Sequence, residues 1–104
     1  MEYKVIVTLD AEKDLDRHIR YLLEVKMNAQ AASNVLNDFE ETKNVLSRVA
    51  GSLKLCDNPR LKKLGYRRIN YQCHDYFMLY RVVEDIAIVD NIFHVLEDYE
   101  NKMM

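Results

Sequence analysis

LGYRRINYQCHDYFMLYRVVEDIAIVDNIFHVLEDYE, residues 64–100, decides the fold of this chain. It holds three runs rich in β-branched and aromatic residues, parted by residues 72–75 and by Glu84 and Asp85. Runs of that kind separated by short polar breaks form an antiparallel meander. Strands are expected over residues 61–72, 76–83 and 86–94. The second is apolar on both faces except for Arg81, and the third nearly so. That pattern belongs to central strands covered on one side by helices.

Working back toward the N-terminus, residues 3–9 alternate, with Tyr3, Val5, Val7 and Leu9 on one face and Lys4, Ile6 and Thr8 on the other, which predicts another strand. Thr8 or Asp10 can cap the helix that follows, since either side chain accepts from the free amides of a first turn. Ala11, Leu15, Ile19, Leu22 and Leu23 line its apolar face as far as about Val25. Asn28 caps a second helix running to Ala50, with Gly51 as its stop and Ala32, Val35, Phe39, Thr42, Leu46 and Val49 as its stripe. Two amphipathic helices joined by a few residues pack as an antiparallel hairpin. The stripe is broader than a coiled-coil dimer seam and suits an intramolecular core. Residues 52–60 form the one loop. The expected class is therefore α+β, a single domain over residues 1–104: N-terminal strand, helical hairpin, then a three-stranded antiparallel meander.

The bulk properties agree. A chain of 104 residues is one domain large enough for its own core. Hydrophobic residues at 49% and charged residues at 31% exclude a disordered tail. No apolar run approaches the roughly 20 residues of a membrane span, and MEYKVIVTLD lacks the features of a signal peptide, so a cytoplasmic location is expected. Cys56 and Cys73 are too few and too far apart for a zinc site or a redox pair. They read as reduced thiols, and neither metal nor cofactor is expected. The neighbours Cys73 and His74 point apart on extended backbone, which weakens any nucleophile reading. The net charge is -2, yet residues 54–68 hold Lys54, Arg60, Lys62, Lys63, Arg67 and Arg68 against Asp57 alone. Screening confines the relevant field to roughly 10 Å, so such a stretch can bind phosphate whatever the net charge. A solvated loop and strand edge is the plainer reading.

Four segments carry a resemblance to a known family: Thr8-Leu9 closing the first strand before an acidic helix, Leu64-Gly65-Tyr66-Arg67, Leu79-Tyr80-Arg81-Val82, and Ile92-Phe93-His94 followed by Asp98-Tyr99-Glu100. With the order strand, helix, helix, three strands, they resemble the RelE/ParE superfamily of bacterial toxins over nearly the whole chain. The resemblance implies the toxin half of a type II toxin-antitoxin module, a cognate antitoxin as partner, and a toxin-antitoxin hetero-oligomer. Two activities occur in that superfamily. RelE-like members are endoribonucleases that cut mRNA on the ribosome without metal, through the ribose 2'-hydroxyl; ParE-like members poison DNA gyrase through a protein interface.

RNA cleavage needs a base, an acid and cations for the phosphorane. His94 suits proton transfer, Arg67 or Arg68 the phosphate, and Tyr99 stacking or proton transfer. Lys62, Lys63 and Arg81 are candidates for holding the substrate. Each has a structural alternative: His94 ending a strand, one of Arg67 and Arg68 facing the helices, Arg81 paired with Asp90 or Glu84. The antitoxin is expected over the basic sheet surface and open edge near residues 62–68. RNA-cleaving relatives commonly place an arginine three positions before the tyrosine of the LVY-like strand motif, where this chain has Phe77. Ribosome-dependent mRNA cleavage is the first expectation and gyrase poisoning the second. A non-toxic protein-binding module on the same fold is the rival from another class.

Overall fold

The computed structural model describes residues 2–103. Strand β1 (Lys4–Val7) leads into α1 (Leu9–Arg20), a π-helical turn (Tyr21–Val25), α2 (Ala29–Val49) and a 3-10 turn (Ala50–Ser52). After α3 (Pro59–Lys63) come β2 (Tyr66–Asn70), β3 (Tyr76–Val83), β4 (Ile86–His94) and a last turn of helix, α4 (Tyr99–Lys102). The sheet order is β1-β4-β3-β2, with β1 parallel to β4 and the other pairs antiparallel. The α+β class, the hairpin and the meander are as expected.

Local chemistry sets the helix boundaries. The Thr8 hydroxyl accepts from the Ala11 amide at 3.2 Å and donates to the Asp90 carbonyl at 3.0 Å, so the cap of α1 also stitches it to β4. Asn28 accepts from the Ala31 amide at 2.9 Å and caps α2. Between the helices, the π turn closes an i to i+5 bond, Lys26 amide to Tyr21 carbonyl, and Met27 takes a positive φ of 51°. The extra residue in that turn rotates Leu23 off the core face, leaving it 46% exposed where the periodicity had placed it inside. Gly51 gives the chain room at its closest approach to β1, since a Cβ there would collide with the Tyr3 hydroxyl.

Three expected strand boundaries are corrected: Leu9 opens α1 and is 65% exposed instead of ending the first strand, β2 stops at Asn70 instead of Gln72, and it starts at Tyr66 instead of Leu61. Residues 61–65 are not strand. Asn58 accepts from the Arg60 and Leu61 amides, Pro59 occupies the first turn, and the short helix α3 closes at Gly65 with φ +85°. Lys62 and Lys63 therefore sit on a helix. The edge of β2 is closed at its start: Leu55 bridges Arg67, and the Cys56 amide donates to the Tyr66 carbonyl at 2.9 Å.

The sheet is covered on both sides. Toward the helical hairpin, Ile69, Tyr71, Met78, Tyr80, Ala87, Val89 and Ile92 pack against Ala11, Val35, Phe39, Leu46 and Ala50. On the other side, Phe77, Leu79 and Phe93 pack with Cys56 and Leu61, and Tyr66 and Tyr99 lean on them. Tyr80 is wholly buried, and its hydroxyl donates to the Ala50 carbonyl at 2.7 Å. Burial holds its phenol pKa up to about 12.

Two carboxylates tie distant segments together. Asp38 on α2 is buried and accepts from the Gln72 and Cys73 amides at 3.0 and 2.9 Å and from His74 Nδ1 at 2.6 Å, so it holds the β2–β3 turn against the helix. Glu97 accepts from the His94 amide at 3.0 Å, Lys102 Nζ at 2.8 Å and His18 Nε2 at 3.2 Å, with Arg17 at 3.7 Å, which fastens the C-terminal segment to α1.

Burial opposes charge on Glu97, but these donors outweigh it and hold its pKa near 2. For Asp38 burial again works upward, and the bonds from His74 and the two amides bring the carboxyl below its ordinary value. His18 is lowered because burial disfavours the imidazolium more than Glu97 favours it.

Two measurements follow from this wiring. Asp38→Ala leaves four donors, the two amides, His74 Nδ1 and the buried Thr42 hydroxyl, without their acceptor, and its urea unfolding midpoint should report a loss of about 3 kcal/mol. A depressed carboxylate pKa contributes stability that is present above its unfolded value and lost as pH falls toward the folded one, and a lowered histidine pKa likewise removes stability as pH falls below 6.5. The melting temperature should therefore decline below pH 6.5 and decline again between 4.5 and about 2. Glu97→Gln should flatten the second decline; an unchanged acid profile would show that Glu97 is not the group responsible.

Candidate functional site

The residues singled out in the sequence are distributed over the two faces of the sheet. Arg68 pairs in register with Leu79 and lies on the face away from the helical hairpin, its guanidinium 3.8 Å from the Phe77 ring centroid and 5.8 Å from that of Tyr99. Nε and Nη2 both donate to Asn70 Oδ1, at 3.2 and 3.1 Å, which fixes the plane of the group. Phe77, Phe93 and Tyr99 form an aromatic cluster beneath it, with centroids 5.0 to 5.8 Å apart. Arg68 and Tyr99 share a cavity of about 320 Å³ with residues 53–57. Within it, burial raises the pKa of the Cys56 thiol despite the nearby arginine, so this cysteine is not an activated nucleophile.

His94 is on the other face. It lines a cleft of about 670 Å³ at the end of the helical hairpin, with His18, Tyr76, Glu97, Arg17 and Lys102 around it. The Tyr76 ring stands between the two imidazoles, 4.8 Å from His18 and 5.1 Å from His94. His94 Nδ1 accepts from the Leu96 amide at 3.1 Å, which places the proton of the neutral ring on Nε2.

The separation has an identifiable cause. The β3–β4 register starts at Val83 opposite Ile86 and keeps step to Tyr80 opposite Val89, but Leu79 then faces Asn91, leaving Asp90 as an extra residue. Side-chain direction has period two, so one inserted residue sends everything beyond it to the opposite face. Ile92 and His94 are turned toward the helices by that bulge; without it His94 would share the face of Arg68. The bulged Asp90 carboxylate accepts from Arg81 Nε at 2.7 Å and the Tyr66 hydroxyl at 2.9 Å.

The other candidates are accounted for. Arg67 faces the helix side, and its Nη1 donates to the Leu53 carbonyl, so this arginine ties down the segment after α2. Arg81 is the framework partner of Asp90. Lys62 and Lys63 are exposed on α3 and have no carboxylate within ion-pair distance among the described residues. The structure thus brings together Arg68 and Tyr99, and does not bring either to His94. Among the described residues there is no group of three or more His, Cys, Asp or Glu side chains that could hold a metal ion, and no helix long and apolar enough to cross a membrane.

His18, Asp38 and Glu97 were missed in the sequence. His18 could have been found from its position, since 11, 15, 18 and 22 follow the spacing of one helix face. Nothing local marks Asp38 or Glu97 as hydrogen-bonding hubs.

Comparison with known proteins was informative for the family and the fold. No curated protein matches the sequence. Among solved structures, a chain described as the chromosomal ParDE TA system from P. aeruginosa superposes with a TM-score of 0.73 at 21% identity, covering 90% of this chain and 97% of that one. At that identity the likeness speaks for the fold alone. The family model for the ParE toxin of the type II toxin-antitoxin system parDE matches residues 5–99, nearly the whole sheet and hairpin described above. On that match, the chain belongs to the ParE toxin family of type II toxin-antitoxin systems.

Proposed function

We propose that this toxin arrests growth through a protein contact with DNA gyrase and that it does not cut mRNA. The observation that carries this reading is the division of the candidate nuclease residues between two faces. A general acid or base works within hydrogen-bond reach of the reacting atoms. His94 stands beside Tyr76 and His18 on the helix side, while Arg68 lies over Phe77 on the other. Phe77 adds to this. It is 1% exposed beneath Arg68, where RNA-cleaving relatives commonly have an arginine, and a buried phenyl ring supplies no charge to a phosphorane. A cognate antitoxin is the partner that would restrain the toxin.

Induced expression of the chain in bacteria tests this, with growth, translation and DNA supercoiling followed together. Growth should stop with a collapse of supercoiling before protein synthesis falls. His94→Ala should keep its toxicity within about threefold, against the 10²- to 10⁴-fold loss expected of a proton-transfer group. Cleaved mRNA with normal supercoiling would reverse the assignment. Phe77→Arg separates the readings a second way. Placing a second guanidinium in the packed layer under Arg68 should lower stability by about 3 kcal/mol or more without creating cleavage; ribonuclease activity in a folded variant would point to a weakened nuclease.

A further inference from the structure

We propose that the sheet face opposite the helical hairpin holds a phosphodiester backbone, with Arg68 as a fixed phosphate ligand and Arg60, Lys62 and Lys63 of α3 as a flanking cationic ledge. The identification of that backbone as DNA presented by gyrase rests on the function proposed above; the phosphate chemistry does not.

The first observation is a local charge imbalance that the fold leaves uncompensated. The chain has a net charge of -2, and Arg17, Arg20, Lys43, Lys54, Arg81 and Lys102 each have a carboxylate within 4 Å. Arg60, Lys62, Lys63 and Arg68 have none among the described residues; Lys4, Lys13, Lys26, Arg48 and Arg67 also have none, but the four named first lie together in the run from α3 into β2. Of the acids near the adjoining cavity, Asp57 is held by Lys54 at 3.2 Å, while Glu100 is close enough to act on Cys56 and Tyr99. A cationic group without a counter-charge in an otherwise acidic protein is a field available to an outside anion.

The second is that the helix carrying three of these groups packs on the layer that carries the fourth. Leu61 anchors α3 in the same aromatic layer, with Phe77 and Phe93, that carries Arg68 on its surface. Stacking on Phe77 and the two bonds to Asn70 remove most of the rotamer freedom of Arg68, so little is lost when it takes up a phosphate. Tyr99 lines the same cavity and offers a ring face beside the cation, an arrangement suited to a nucleotide.

The third observation argues against an acidic peptide as occupant. A peptide would add to the edge of β2, but Leu55 and Cys56 already pair with Arg67 and Tyr66 there, which leaves it only the short stretch from Arg68 to Asn70. What remains is a set of point charges around one planar donor, which matches a repeating anion better than a strand.

The test uses the intact protein and a short fluorescent DNA duplex of random sequence, read by anisotropy over a range of NaCl concentrations. Four neutralised phosphates would give a slope of about -3.6 in log affinity against log salt, and K62Q/K63Q, two exposed changes on α3 that leave the packing untouched, should reduce its size by about 2. Arg68→Lys keeps the charge and loses the planar fork, and should weaken binding by about tenfold with a nearly unchanged slope. No binding at low salt, a slope indifferent to K62Q/K63Q, or equal affinity for polyglutamate would overturn the proposal. With purified gyrase, K62Q/K63Q should trap about tenfold less cleaved DNA than the parent at equal gyrase binding. Full trapping by this variant would place the ledge outside the gyrase-DNA complex. If the parent binds duplex with the expected slope yet traps no cleaved DNA, the gyrase reading falls and the phosphate site stands.

Discussion

The central constraint is that β3 is buried on both faces. From Phe77 to Tyr80 each residue is at most 1% exposed, and consecutive side chains belong alternately to the layer under the helices and to the layer under α3 and α4. Such a strand has no face left for solvent and little tolerance for a change of register. Everything of functional interest is consequently carried beside it: Arg68 on one neighbouring strand, His94 on the other, each turned to a different side. The sheet acts as a partition, and no single pocket of this fold collects both.

The two carboxylate hubs, buried Asp38 and half-buried Glu97, solve a related problem. A turn packed against a helix, or a terminal segment folded over one, brings backbone amides into places with little water. Asp38 and Glu97 answer these amides with carboxylate oxygens and then gather cationic or imidazole partners to offset their own burial. The cost of desolvating the acid is accepted because several donors share it. This explains why Asp38 sits on the otherwise apolar buried face of α2.

Much of the architecture was readable before any coordinates. The polar breaks gave β3 and β4, alternation gave β1, and Thr8 and Asn28 identified the helix starts through a chemistry that is local by nature. The division of labour between Arg67 and Arg68 was also legible as simple parity. The short helix α3 was overlooked although Asn58-Pro59 is a cap followed by a first-turn proline, because the basic run after it was absorbed into a strand. The position of His94 was beyond reach. It depends on one unpaired residue, Asp90, whose bulge is fixed by a cap on one side and by Arg81 and Tyr66 on the other. Those partners lie on other elements, and no window of sequence holds them together.

The parallel pairing of β1 with β4 sets the order in which the native state can assemble. Thr8 and Asp90 are 82 positions apart, and the Thr8 amide bonds to the Val89 carbonyl at 3.0 Å. A ribosome making this chain has to pass Val89 before β1 has a strand to join, and the loop so closed is among the longest that 104 residues allow. Until then the helical hairpin is synthesised with its apolar stripe uncovered by a sheet. The parallel pair thus forms only once Val89 is available to it, and the interval before that is one in which those bare helices are exposed to whatever else the cell supplies.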